Sequence, residues 1–152
     1  MRRPFRLIAS SLILTLAIQP LGAADTFSNV KLMINTGDKA EEQEAVLRFE
    51  DETLEIRSKS GTLLKVLPYS EIKSAEYSYA KSPRWKSGIG LAIAFGVFAL
   101  PVFFMKGKKH WLTLAAERDF AVLRLDKGNY KLVLPAVEMH TGRKVETASE
   151  EK

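Results

Sequence analysis

An uncharged apolar segment in the middle of the chain restricts its fold more than any other feature. Residues 87–105, SGIGLAIAFGVFALPVFFM, are 19 consecutive residues without a charged side chain. As a single helix they would extend about 28 Å at about 1.5 Å per residue, which is close to the hydrocarbon thickness of a bilayer. The segment is therefore predicted to associate with a membrane.

The borders of the segment carry residue types that are enriched at membrane–water interfaces. The two tryptophans of the chain lie on either side of it, and six lysines and arginines lie between residues 81 and 109 with no acidic residue among them. Tryptophan rings anchor at the headgroup level, and basic side chains are attracted to anionic headgroups by about 1 kcal/mol each. The predicted membrane-interface residues are Lys81, Arg84, Trp85, Lys86, Lys106, Lys108, Lys109 and Trp111.

Residues 1–24 have the pattern of a secretory signal peptide. Arg2, Arg3 and Arg6 precede an apolar stretch over residues 7–18, and small residues follow at positions 22–24. Removal of this segment lowers the formal net charge from +5 to +2, because the three arginines leave with it. Cysteine is absent from the chain, whereas small secreted eukaryotic domains tend to be rich in disulfides. Export without cysteine favours the periplasmic face of a bacterial membrane.

The rest of the chain alternates apolar and polar residues with the period of two that is typical of half-buried strands. Five such strands precede the apolar segment and two follow it, in the stretches NVKLMIN, AVLRFE, TLEIRS, TLLKVLP, SEIKSAEYSYAK, HWLTLAAE and FAVLRLD. A C-terminal helix is then predicted, with Asn129 as its N-cap and Gly142 just beyond its end. Pro135 leaves two alternatives open: a helix kinked at that proline, or a helix that begins there after another short strand.

The order of seven antiparallel strands and one helix is similar to that of pleckstrin-homology-like (PH-like) barrels. The stretches LLKVLPYSEIKSAEYS, HWLTL and YKLVLPAVEMHTGRKVE resemble bacterial PH-like and GRAM-like domains. In these domains a PY-x-x-I step leads into the fifth strand, and a helix ending in TG closes the domain. The resemblance covers residues 29–145. It implies a mainly β, PH-like seven-stranded antiparallel barrel with a C-terminal helix and an inserted apolar helix or helical hairpin at residues 87–105. Residues 146–152 are predicted to form a disordered tail.

Lipid-binding PH-like domains carry basic residues along the first two strands and the loop between them. The corresponding loop of this chain is acidic, with Asp38, Glu41, Glu42 and Glu44 beside Lys39. Phosphoinositide binding in that mode is therefore not expected.

Three hypotheses remain open for the apolar segment. If it crosses a membrane once, strands one to five lie on one side and the last two strands on the other, and each half exposes unpaired strand edges. A helical hairpin that turns near Gly96 or Pro101 and dips into one leaflet keeps the whole domain on one side. Alternatively, the segment is buried against a partner protein.

Residues that could carry catalytic or metal chemistry are sparse. His110 and His140 are the only histidines, and no carboxylate stands near them at metal-ligand spacing. No catalytic, metal or cofactor site is therefore predicted. Export and a net negative charge outside the membrane flanks argue against nucleic-acid binding.

The sequence as a whole predicts a non-enzymatic, membrane-associated adaptor or scaffold domain of the bacterial envelope. Its expected partners are anionic lipid headgroups and either a membrane protein or a second copy of the chain. The alternative is a single-span membrane protein or an accessory subunit of a membrane enzyme complex.

Overall fold

The structure, a computed structural model, describes residues 24–36, 39–82 and 106–148. Within them, eight strands, one 3-10 turn and one α-helix follow one another. Strands β1 to β5 are Asp25–Thr36, Lys39–Phe49, Thr53–Ser58, Leu63–Pro68 and Ile72–Ala80, and the 3-10 turn Tyr69–Glu71 joins the last two. After the apolar segment come β6 (Lys109–Ala116), β7 (Phe120–Leu125), helix α1 (Tyr130–Thr141) and β8 (Val145–Thr147).

The eight strands form one sheet in the order β4-β3-β2-β1-β7-β6-β5-β8. Neighbouring strands are antiparallel except for β5 and β8, which run parallel. Strands β4 and β8 are the two edges, so the sheet is not closed into a barrel. The predicted PH-like seven-stranded antiparallel barrel is therefore wrong: the described chain forms an open, mixed sheet of eight strands with one short helix.

Contacts at the end of helix α1 place the following residues where they can form the eighth strand. Gly142 adopts the left-handed conformation (φ 65°) that commonly ends helices, and its N–H donates to the carbonyl of Glu138 (3.0 Å). The carboxylate of Glu138 accepts a hydrogen bond from the N–H of Val145 (2.8 Å), which holds the returning chain in place. Residues 145–147 then pair with residues 75–77 of β5. Because only one of these three residues is apolar, no alternating pattern marks the strand, and its last two residues were predicted to belong to a disordered tail.

The sheet curls around a single core on its inner face. On the edge strand β4, Lys65 donates from its Nζ to the carboxylate of Asp119 (2.6 Å) and to the carbonyl of Phe120 (2.8 Å). These bonds join the free edge of the sheet to the turn between β6 and β7. Ten apolar residues of the strands predicted from the alternation belong to this core: Val30, Leu32, Leu47, Phe49, Leu54, Ile56, Leu112, Leu114, Leu123 and Leu125.

Helix α1 packs on the same inner side of the sheet. It buries Val133, Ala136 and Val137 in the core, a spacing of three and four residues that places them on one helix face. The helix begins at Tyr130 and contains Pro135 in its interior. The alternative in which the helix begins only at the proline is therefore wrong.

Asn129 precedes the helix but does not cap it through its side chain. Its Nδ2 donates to the carbonyl of Ser28 (2.6 Å), and its Oδ1 accepts from the N–H of Asp126 (2.9 Å). Ser28 lies at a bulge in β1, where Asn29 has a φ of 58°. The residue predicted as an N-cap instead ties the start of the helix to the first strand.

No helix in the described ranges has both the length and the apolar character that crossing a bilayer requires. The prediction of a transmembrane helix is therefore wrong for this part of the chain. The apolar insertion at residues 87–105 lies outside the described residues, as does the predicted signal peptide apart from Ala24.

A pair of identical substitutions tests the position of the core. Leu112 is fully buried and Leu132 is 63 % exposed on helix α1. Leu112→Ala removes core contacts and leaves a cavity, so it should lower the free energy of unfolding by about 2–5 kcal/mol. Leu132→Ala should change it by less than about 0.5 kcal/mol. Urea denaturation of the two variants measures both values, and equal losses would contradict this assignment of the core.

Candidate functional site

Strands β5 and β6 lie side by side where the apolar segment leaves and re-enters the described chain. Tyr79 pairs with His110, and Ala80 pairs with Lys109. Both borders of the segment therefore lie at the same end of one sheet. Because a single crossing would place two paired strands on opposite sides of a bilayer, the single-span hypothesis is not compatible with this pairing.

Four of the predicted membrane-interface residues meet at this end of the sheet. Three of them are exposed, and the fourth is half-buried. We call them the basic end: Lys81, Lys106, Lys108 and Lys109. Arg84, Trp85 and Lys86 lie outside the described residues, so their predicted role stays a prediction.

Trp111, the remaining predicted interface residue, is only 1 % exposed. Its ring packs against Met33 and Val122 on the outer face of the sheet, and Phe120 adjoins this cluster. Its indole N–H donates to the carbonyl of Ala80 (3.0 Å). Trp111 thus fixes the last residue of β5 against β6, a structural role that the sequence did not indicate.

Four stacked rings lie beside the basic end, and we call them the aromatic cluster: Tyr77, Tyr79, His110 and Tyr130. The imidazole of His110 stacks on Tyr130 with 3.9 Å between ring centroids and on Tyr79 with 4.7 Å. Tyr79 is 50 % exposed, and the Nζ of Lys108 lies 5.9 Å from the centroid of its ring. The cluster thus joins the start of helix α1 to the ends of β5 and β6, and it presents a basic and aromatic surface.

The hydroxyl of Tyr77 and the Nδ1 of His110 are 2.7 Å apart, within hydrogen-bond distance. Burial lowers the pKa of His110 from its ordinary value, an effect that the charge of Asp126 opposes and that of Lys127 reinforces. Burial also raises the pKa of Tyr77. The arrangement therefore favours a neutral imidazole next to a neutral Tyr77 phenol.

His140, the other histidine, lies in the last turn of helix α1. Its Nε2 is 2.9 Å from the Oδ2 of Asp25 at the start of β1, and its ring stacks on Phe49. The hydroxyl of Tyr69, whose ring adjoins His140, donates to the carbonyl of Glu50 (2.7 Å). Each histidine thus fastens one end of the helix to the sheet. Among the described residues, no group of three or more His, Asp or Glu side chains is placed to hold a metal ion.

A shallow groove of about 190 Å³ lies on the outer side of β1 and β7. Its basic side chains are already matched by acids: Lys31 and Arg124 both contact Glu42, and Lys59 contacts Glu44 at 2.5 Å. These ion pairs satisfy the charges locally, so the groove offers an added anion little attraction. The acidic residues predicted around the first loop act in part as partners for these cations.

No protein-family model matches the chain, and no curated protein matches it. The features of this chain that bear on its function are the basic end, the aromatic cluster and the position of the apolar segment in the sequence.

The half-buried imidazole of His110 predicts a pH-dependent stability. Because the pKa of His110 is lower in the folded protein than in the unfolded chain, the unfolded chain takes up a proton first as the pH falls. The stability that neutral His110 contributes should thus be fully present well above its ordinary pKa of 6.5 and decline as the pH falls through that value toward the lower folded pKa.

His110→Phe keeps an aromatic ring but cannot titrate. The unfolding free energy of the wild type should therefore fall relative to that of this variant as the pH is lowered from about 7.5 to about 5. Tyr77→Phe is the control, because it removes the hydrogen bond at a cost of about 1 kcal/mol while leaving the titrating imidazole in place. A difference that is constant across this pH range would contradict the assignment.

Proposed function

We propose that the protein is a non-enzymatic adaptor or scaffold domain held at the periplasmic face of a bacterial membrane. The apolar segment at residues 87–105 enters one leaflet and returns on the same side, and the basic end contacts anionic headgroups. The observation that carries this proposal is the convergence of four lysines and both borders of the segment at one end of β5 and β6. A membrane protein or a second copy of the chain remains the expected protein partner.

The expected binding free energies indicate how much the basic end and the apolar segment each contribute to membrane attachment. Four lysines at about 1 kcal/mol each give about 4 kcal/mol, which alone corresponds to a dissociation constant of about 1 mM. Each fully buried Phe, Leu or Val side chain adds about 1.5–3 kcal/mol. Insertion of a few residues of the apolar segment is therefore sufficient for stable attachment, and the basic end sets the preference for anionic lipid.

Backbone groups at the turn of such an insertion must find partners, because the hydrocarbon interior offers none. A shallow position, with the turn near the headgroups of the same leaflet, avoids most of this cost. A segment that stays near the headgroups is therefore favoured over one that reaches across the leaflet.

Vesicle flotation with charge-matched variants tests the proposal. The Lys81→Gln, Lys106→Gln double variant removes two charges from the basic end, so binding to phosphatidylglycerol-containing vesicles should weaken by about thirty-fold, the equivalent of about 2 kcal/mol. Binding to neutral phosphatidylcholine vesicles should change little.

The control is the Arg143→Gln, Lys144→Gln double variant. It removes the same charge from exposed residues just beyond the opposite end of helix α1. If both double variants lose affinity equally, net charge and not the basic end is responsible. If neither variant nor the wild type floats with anionic vesicles, the proposed membrane attachment is wrong.

A further inference from the structure

Helix α1 exposes a row of apolar side chains to solvent. Met139 and Leu132 are 69 % and 63 % exposed, the two largest values among the large apolar side chains of the described residues. Pro135, which lies between them along the helix, is exposed as well. A spacing of three and four residues places all three on one side of the helix. We call them the helix stripe: Leu132, Pro135 and Met139.

The helix stripe is separate from the face that holds the helix to the sheet. Val133, Ala136 and Val137 pack into the core from another side of the helix. A surface helix normally presents charged and polar residues to the solvent, whereas neighbouring exposed apolar residues are a feature of interaction surfaces. The helix therefore carries a second apolar surface, which adds nothing to the core of a single chain.

Two opposite charges form a row beside the helix stripe. Lys131 and Glu138 are both exposed, and they are seven residues apart, as are Leu132 and Met139. Seven residues are nearly two helical turns, so each pair lies on one side of the helix with about 10 Å between its members along the axis. Both pairs are centred within one residue of Pro135. The row is therefore positive toward the start of the helix and negative toward its end.

We propose that the helix stripe binds a second copy of the chain, with the two copies of helix α1 antiparallel about a two-fold axis near Pro135. In this arrangement Leu132 of each copy faces Met139 of the other. A two-fold axis between antiparallel helices keeps their matching flanks on the same side, so Lys131 of each copy also faces Glu138 of the other. Parallel helices would place the two charged rows on opposite sides of the contact. The charge pattern therefore favours a second copy in the antiparallel orientation.

The contact that Glu138 already makes is compatible with this pairing. Its Oε1 accepts a hydrogen bond from the N–H of Val145 (2.8 Å), which holds the side chain near the end of the helix. An ionised carboxylate has about four acceptor positions, and a lysine ammonium has three donors. Glu138 can therefore accept a hydrogen bond from Lys131 of the second copy without releasing Val145.

The size of the helix stripe predicts a weak dimer. Standard protein interfaces bury about 800 Å² on each partner, and three side chains flanked by two charges provide less than that. Attachment of both copies to one membrane would raise their effective concentration and favour the dimer. As a choice of partner, the dimer rests on the adaptor role proposed above, whereas the contact itself does not require a membrane.

Sedimentation velocity of the full chain in a mild detergent tests the dimer. Leu132→Glu places a charge in the helix stripe of both copies, so it should raise the dissociation constant of the dimer by at least about ten-fold. Leu63→Glu is the control, because it makes the same change at a leucine that is 47 % exposed on β4, and it should leave the dimer intact. Equal losses in the two variants, or a wild type that stays monomeric up to about 1 mM, would overturn the proposal.

Disulfide trapping tests the antiparallel orientation, because the protein has no cysteine of its own. A Leu132→Cys chain is mixed with a Met139→Cys chain that carries a mass tag. Mixed disulfides should form faster than disulfides within either variant alone, and exposed Ser60→Cys gives the rate of random collision. Faster disulfides between like positions would indicate a parallel pair and overturn the proposal. So would mixed disulfides that form no faster than those at position 60.

Vesicle flotation of the same proteins separates the dimer from the membrane attachment. A wild type that dimerises in detergent but does not float with anionic vesicles would refute only the membrane attachment. A wild type that floats but forms neither dimers nor mixed disulfides would refute only the dimer. If the chain is monomeric and Leu132→Glu abolishes flotation, the helix stripe contacts lipid, and the proposed dimer is wrong.

Discussion

The pairing of β5 with β6 brings together two parts of the chain that the apolar segment separates in sequence. These strands are separated by the apolar segment along the chain, yet they are hydrogen-bonded neighbours from Ile72 opposite Ala116 to Ala80 opposite Lys109. Backbone hydrogen bonds across such a ladder cannot form through a bilayer, so both borders of the segment belong to one side. The chain therefore leaves the sheet after Ala80 and re-enters it at Lys109, at the same end of two paired strands.

The same pairing concentrates charge and aromatic surface at one end of the molecule. Lysines that flank the segment in sequence become neighbours in space, and Tyr79 and His110 meet because they are a cross-strand pair. Helix α1 then adds Tyr130 to the stack. A neutral, half-buried imidazole at this position leaves the lysines as the source of positive charge at this end of the sheet.

Sequence patterns predicted most of what depends on local periodicity. The alternation located seven strands and their inward residues, and the glycine at position 142 marked the end of the helix, because both signals come from the residues that form the element. They did not reveal β8, whose short polar sequence becomes a strand only through the contact of Glu138 with Val145 and the pairing with β5. That strand, and the open edge at β4, make the sheet mixed and open.

Only part of the candidate site could be predicted, because only some of its residues are marked by local features of the sequence. The lysines of the basic end were found from their positions beside the apolar segment, since a flank is a local feature. The aromatic cluster was missed because Tyr130 reaches His110 only when the helix folds back onto the sheet. Trp111 was assigned to a membrane interface by residue type, and its burial against Met33 and Val122 depends on strands that the sequence could not align.

The pairing of β5 with β6 predicts that the parts of the chain before and after the apolar segment lie on the same side of any membrane that the segment enters. Single cysteines at Ser60, before the segment, and Thr147, after it, can be labelled with a membrane-impermeant maleimide in cells whose outer membrane has been permeabilised. Both positions are exposed. We expect the two cysteines to label equally, before and after the inner membrane is broken. Labelling of Ser60→Cys in intact cells, with labelling of Thr147→Cys only after lysis, would contradict it.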